Sequence, residues 1–154
     1  MGEAREALEH YQNAAHGPFA SDPAVLMGLA RAQFALDDCA SAEATLNNLF
    51  AAHREARQQP EPALLYARTQ AALGAPGTRA AFEQALSCAS DAAPRCLFAD
   101  WLAAQPDQAD RERARSLYAD ITQDAKHWPR HAREHNREWL ERAQAALAGG
   151  SGRP

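Results

Sequence analysis

Lysine is almost absent from this chain of 154 residues: of 16 basic side chains only Lys126 is lysine, and the formal net charge is −4. A mildly acidic protein gives no electrostatic reason to expect nucleic acid, whose binders present a strongly basic face. Valine and isoleucine are scarce, and the hydrophobic content of 46% rests heavily on alanine. That disfavours strands and favours close-packed helices. The three cysteines, Cys39, Cys88 and Cys96, are odd in number, widely spaced and form no CxxC, so they read as buried reduced thiols of a cytoplasmic protein. A Cys88–Cys96 link is the weaker alternative. There is no run of 18 uncharged apolar residues, and the opening residues are no signal peptide. No membrane insertion is therefore expected of this chain, and membrane association would need an upstream segment outside it.

What is present is a period. Four triplets of small, large and small or aliphatic residues recur: Ala7/Tyr11/Ala14, Ala42/Leu46/Leu49, Thr78/Phe82/Ala85 and Ala114/Tyr118/Ile121. All three columns advance by 35, 36 and 36 residues. A fixed spacing in that range marks a helical solenoid. Between the triplets a second pattern repeats: Leu26-x2-Leu29-Ala30-x2-Gln33, Ala63-x2-Tyr66-Ala67-x2-Gln70 and Arg95-x2-Phe98-Ala99-x2-Leu102. Its i, i+3, i+4, i+7 spacing is that of an amphipathic helix. Ala30, Ala67 and Ala99 stand where two helix backbones would approach closely.

Punctuation agrees with paired helices. Ser21-Asp22-Pro23 offers an N-cap followed by proline at the first helical position. Asp37-Asp38, Gly74-Ala75-Pro76-Gly77 and Gln105-Pro106-Asp107 read as turns inside successive pairs, and Gln58–Pro62 as a separator between pairs. The expected organisation is one domain over 1–148. It holds a half repeat (2–16), pairs at 22–55, 60–90 and 92–127, and a single capping helix over 128–148, with 149–154 as a disordered tail. Trp101 and Trp139 read as packing residues, and Trp128 as a cover for the junction before the cap.

These residues resemble the tetratricopeptide repeat (TPR) family, whose second-helix signature A-x3-[FY]-x2-A is met best by Ala7/Tyr11/Ala14. Thr78/Phe82/Ala85 and Ala114/Tyr118/Ile121 follow it well. The first-helix signature departs more, with no opening tryptophan and with Ala30, Ala67 and Ala99 where glycine is usual. A narrower similarity is to proteobacterial TPR proteins, through Leu65-Tyr66-Ala67-Arg68, Ala93-Pro94-Arg95-Cys96 and the helix from Pro129 to Trp139. The resemblance implies an all-α, right-handed α-solenoid of about three and a half antiparallel helix pairs. It also implies a non-enzymatic scaffold that binds a protein or an extended, acidic peptide in a concave groove.

Helix phase points Arg31, Arg68 and Asp100 toward such a groove, with Met27, Phe34 and Leu64 beside them. Two arginines one repeat apart would hold a carboxylate by bidentate contacts. The plainer expectation is that Arg31 and Arg68 pair with Glu61, Asp100 or a neighbouring turn. Because the first triplet lacks its partner helix, Leu8 and Tyr11 are expected to face an open end. The chain then reads as an excised domain or as one that pairs that end with a second copy, and homo-oligomerisation is the alternative function.

Catalytic signals are few. His131-Ala132-Arg133-Glu134-His135 matches the H-x-x-E-H arrangement of a class of zinc peptidases. A third ligand would have to come from Glu138 or Glu141 on the same helix, leaving no closed pocket. Zinc peptidase activity is a remote alternative, and adventitious metal binding by His127, His131 and His135 is the milder one. No phosphate loop, no G-x-S-x-G and no acidic metal cluster occurs. No catalytic residue and no cofactor is therefore expected.

Overall fold

A computed structural model describes residues 2–150. The described residues are helical with short connections and contain no strand. The chain divides into two compact units, residues 1–88 and 89–154.

Unit 1 holds α1 (Gly2–Ala15), α2 (Pro23–Ala35), α3 (Cys39–Ala52), a 3-10 turn (Arg54–Gln58), α4 (Pro60–Ala72) and α5 (Thr78–Cys88). The start of α2 is built as its sequence suggests. Asp22 Oδ1 accepts hydrogen bonds from the backbone N–H groups of Ala24 (2.8 Å) and Val25 (3.2 Å), and Pro23 fills the first helical position. The turns after α2 and α4 share one scheme. Asp37 (φ 61°) and Gly74 (φ 63°) take left-handed backbone, and the next N–H reaches back five residues, Asp38 to Gln33 O and Ala75 to Gln70 O. This satisfies carbonyls left over at a helix end. It also folds α3 back along α2, and α5 back along α4.

Contacts run α1–α2, α2–α3, α3–α4 and α4–α5. Leu26, Met27, Ala30, Leu46, Leu49, Phe50, Ala56 and Leu65 form one buried cluster, with Phe34 and Tyr66 against it. Gln33 also turns inward, accepting from Thr45 Oγ1 at 2.8 Å, so the oxygen of the buried amide is satisfied. Pro60 and Pro62, expected in a separator, lie in the first turn of α4. The N–H groups at those positions have no partner within the helix, so proline costs nothing there.

Unit 2 holds α6 (Ala92–Ala103), α7 (Gln108–Asp124), a 3-10 turn (Ala125–His127), α8 (Arg130–His135) and α9 (Arg137–Gly149). Asp107 caps α7 by accepting from Ala109 N at 3.1 Å. α6 packs along α7, and α9 lies against both. Their core contains Phe98, Leu102, Ile121, Cys96 and Ala143. The helix expected to run unbroken over 128–148 is interrupted at Asn136. That residue is buried, and its amide nitrogen donates to Ala132 O at 3.0 Å. A side chain that bonds the preceding turn competes with the helical ladder, and here the chain restarts as α9.

The periodic columns map onto burial. Ala30, Ala42, Ala67 and Ala99 are wholly inaccessible, and the triplets on α3, α5 and α7 are buried throughout. The first triplet differs: Ala7, Tyr11 and Ala14 are only half-buried, and α1 has no buried residue.

Candidate functional site

In unit 1 the expected groove residues gather on neighbouring faces of α2 and α4. Arg31 Nη1 lies 3.1 Å from Glu61 Oε1, and both side chains are more than half exposed. One turn further along α2, the Arg68 guanidinium stacks 4.8 Å above the centre of the Phe34 ring. Arg31 thus has a carboxylate of its own, whereas Arg68 meets none among the described residues. Beside them opens a cavity of about 690 Å³. Met27, Leu49, Val25 and Tyr11 line it, with Pro60 and Pro62 from the start of α4 and the Arg31–Glu61 pair among its exposed residues. Met27 is almost fully buried and Leu64 half-buried.

Tyr11 corrects one expectation. Neither it nor Leu8 is left exposed; both are half-buried. The Tyr11 ring lies directly on Gly28 of α2, so close that a Cβ at that position would overlap it. A missing side chain on α2 makes the notch that receives the aromatic ring, which is why the triplet finds cover without a first helix of its own. Among the described residues the exposed large apolar side chains are Phe19 and Leu73.

Asp100 corrects another. Its carboxylate is engaged with α7 and α9 of its own unit instead of lining a groove. Tyr118 donates its phenol hydrogen to Asp100 Oδ1 at 2.5 Å, and Arg142 Nη2 stands 2.6 Å from the buried Oδ2. The second contact is an ion pair without hydrogen-bond geometry, so Oδ2 accepts no hydrogen bond. Burial, the neighbouring Asp100 charge and, more weakly, Glu138 push the Cys96 thiol up to about 11, against the opposing pull of Arg142. Burial first, then the hydrogen bond and charge of Asp100, raise Tyr118 well above the usual phenol range. At neutral pH both groups are protonated, so neither is an activated nucleophile. The network is a packing device that joins three helices. All three cysteines are free, with Cys96 buried and Cys39 and Cys88 half-buried. Trp101 stacks on Phe98 with ring centres 6.2 Å apart, and Arg142 lies 5.9 Å from the Trp139 ring centre.

The histidine string is not assembled into a site. His131 and His135 sit exposed on the six-residue α8, His127 is exposed in the preceding turn, and Glu134 is held 3.0 Å from Arg130 Nε. Among the described residues no group of three His, Cys, Asp or Glu side chains is placed to hold a metal ion. Nor is any described helix long and apolar enough to cross a membrane.

Sequence reasoning missed the Asp100–Tyr118–Arg142 network, because helix phase shows which face a residue occupies but not which helix covers it. It also missed Arg54 and Arg57, which lie in a segment that carries no period. Comparison with family models, with curated proteins and with solved structures found no match to this chain.

Proposed function

We propose that the chain is a non-enzymatic interaction module that binds an extended peptide across the α2–α4 face of unit 1. The observation that carries this reading is the cavity between α1, α2 and the start of α4, apolar at Met27, Leu49 and Val25, with an unpaired arginine one turn away. A concave apolar pocket with a few polar groups at its edge is the usual form of a recognition site. The Arg68 guanidinium uses one flat face on Phe34, which leaves its in-plane N–H donors for a carboxylate. The exposed Arg31–Glu61 pair contributes only ~0–1 kcal/mol, so a ligand carboxylate can displace it.

Spacing makes the reading specific. One helical turn advances about 5.4 Å and an extended peptide about 3.3 Å per residue. A peptide with an apolar anchor in the cavity therefore brings an acidic residue about two positions away to Arg68. Selection of a random peptide library on the full chain tests this. Enriched sequences should share an apolar residue and an acidic residue at that separation, and Arg68→Glu should abolish their binding. No enrichment, or peptides that bind Arg68→Glu as well as the parent, would remove the proposal.

A further inference from the structure

On the other side of the 3-10 turn, unit 1 has a second concavity, of about 460 Å³, between that turn, α4 and α5. We infer that this concavity is a binding site for a small aromatic carboxylate, held by Arg54 and Arg57 over a floor of Phe50 and Tyr66. Backbone geometry brings the two arginines together. In a 3-10 helix residues i and i+3 eclipse one another, and Arg54 and Arg57 occupy those positions in the turn Arg54–Gln58 and both line the cavity.

Their charge is unanswered. Arg31, Arg95, Arg130 and Arg142 each stand against a carboxylate. Among the described residues neither Arg54 nor Arg57 does, and no acidic side chain lines the cavity. In a chain with more acidic than basic residues, two arginines that line one concave place without a carboxylate partner mark an anion site. Arg57 is already positioned for it. Its guanidinium stacks 4.6 Å from the centre of the buried Phe50 ring, and its carbonyl accepts from Gln84 Nε2 at 3.2 Å. Stacking occupies a face of the guanidinium and leaves its edge donors to meet a carboxylate in the bidentate manner.

The floor selects what is attached to that carboxylate. Phe50 and Tyr66 meet edge to face, with ring centres 5.4 Å apart, and Ala63, Ala80 and Ala81 complete an apolar lining. Phe50 lies buried beneath the Arg57 guanidinium, so the open ring of the pair is the half-buried Tyr66, beside which an aromatic ligand takes an offset or edge-on position. A volume near 460 Å³ lies within the range of small-molecule sites. A flat ring system thus suits the floor, and its carboxylate suits the rim. The site shares no lining residue with the α2–α4 cavity, so the two readings stand or fall separately.

The test is a titration of the full chain with 2-naphthoate, followed by probe fluorescence anisotropy and by proton shifts of Phe50 and Tyr66. The neutral amide 2-naphthamide, acetate and inorganic phosphate serve as comparisons. 2-Naphthoate should bind at least about tenfold more tightly than the amide and than either small anion. Arg54→Gln with Arg57→Gln should weaken it by about tenfold or more. Ala80→Trp, at an exposed position that lines the cavity, should block binding with both arginines in place. Arg54→Gln alone changes an exposed side chain and keeps the test open should the double variant lose its helical circular dichroism. Equal binding of acid and amide, equal binding of acetate or phosphate, or undiminished binding by the folded variants would overturn the inference.

Discussion

The contact between Tyr11 and Gly28 makes a sharp prediction for Gly28→Ala. Inside an exposed helix this substitution ordinarily stabilises by about 0.5–1 kcal/mol, because alanine has less backbone freedom to lose. Here the new Cβ would occupy space held by the Tyr11 ring. α2 cannot yield, since Leu26 to Ala30 are buried, whereas Tyr11 is a half-buried side chain on a helix with no buried residue. The ring must therefore leave. Fully burying a large apolar side chain is worth about 1.5–3 kcal/mol, so losing a half-buried one removes on the order of 1 kcal/mol from the docking of α1. The two effects fall in different places: α2 gains helix propensity while α1 loses its anchor. Native-state hydrogen exchange separates them. Amides of α1 should lose protection by about fivefold to tenfold, while those of α2 and α3 keep theirs or gain. Tyr11→Ala should produce the same selective loss, and the double variant should lose little more than Tyr11→Ala alone. If Gly28→Ala raises protection evenly, α1 included, the ring-in-notch account of α1 is wrong.

Arg142→Met leaves the Asp100 Oδ2 atom buried beside no cation, and chemical denaturation of the full chain should show a loss of about 1–3 kcal/mol. Asp100→Asn combined with Arg142→Met should recover part of that loss. Because the thiol of Cys96 is raised in the folded state, its contribution is fully present below the unfolded thiol pKa near 9 and is lost as pH rises toward about 11. The unfolding midpoint should therefore fall over that window, and less steeply in Cys96→Ala. At pH 8, Cys39 and Cys88 should react with a thiol reagent well before buried Cys96, as mass spectrometry of the labelled chain would show. Asp37→Gly relieves left-handed backbone at a non-glycine residue and should raise the denaturation midpoint, whereas Gly74→Ala should cost about 1 kcal/mol.

The sequence made the packing columns legible and left their partners illegible. Ala30, Ala42, Ala67 and Ala99 are wholly buried, and spacing alone singled them out because a packing position repeats with its helix. Asp22 was readable as a cap for an equally local reason, since a cap acts within three residues of itself, and Asp38 and Asp107, read as turn residues, cap α3 and α7 as well. The candidate site was readable only in part. Phase placed Arg31, Phe34 and Arg68 on neighbouring faces of α2 and α4, yet it did not reveal that Phe34 would occupy the Arg68 guanidinium. Asp100 has the same helical phase as Arg31 but a different neighbour, because α9 supplies Arg142 from 42 positions downstream. Arg54 and Arg57 escaped because the 3-10 turn lies outside the repeat and has no amphipathic period to betray it. Asn136 escaped because a buried amide that bonds its own chain looks, in sequence, like any polar residue on a helix.

The shared turn after α2 and α4 has a consequence for how such a chain can change in length. Gln33–Asp38 and Gln70–Ala75 each settle the reversal of direction within six consecutive residues, through backbone groups and one left-handed residue. The hydrogen bonds that close each bend run between its own backbone groups. A hairpin of this kind is a transplantable part: residues 33–38 and 70–75 can be exchanged, or a whole pair duplicated, with the reversal carried along. Growth and loss by complete hairpins then leaves the remaining bends intact.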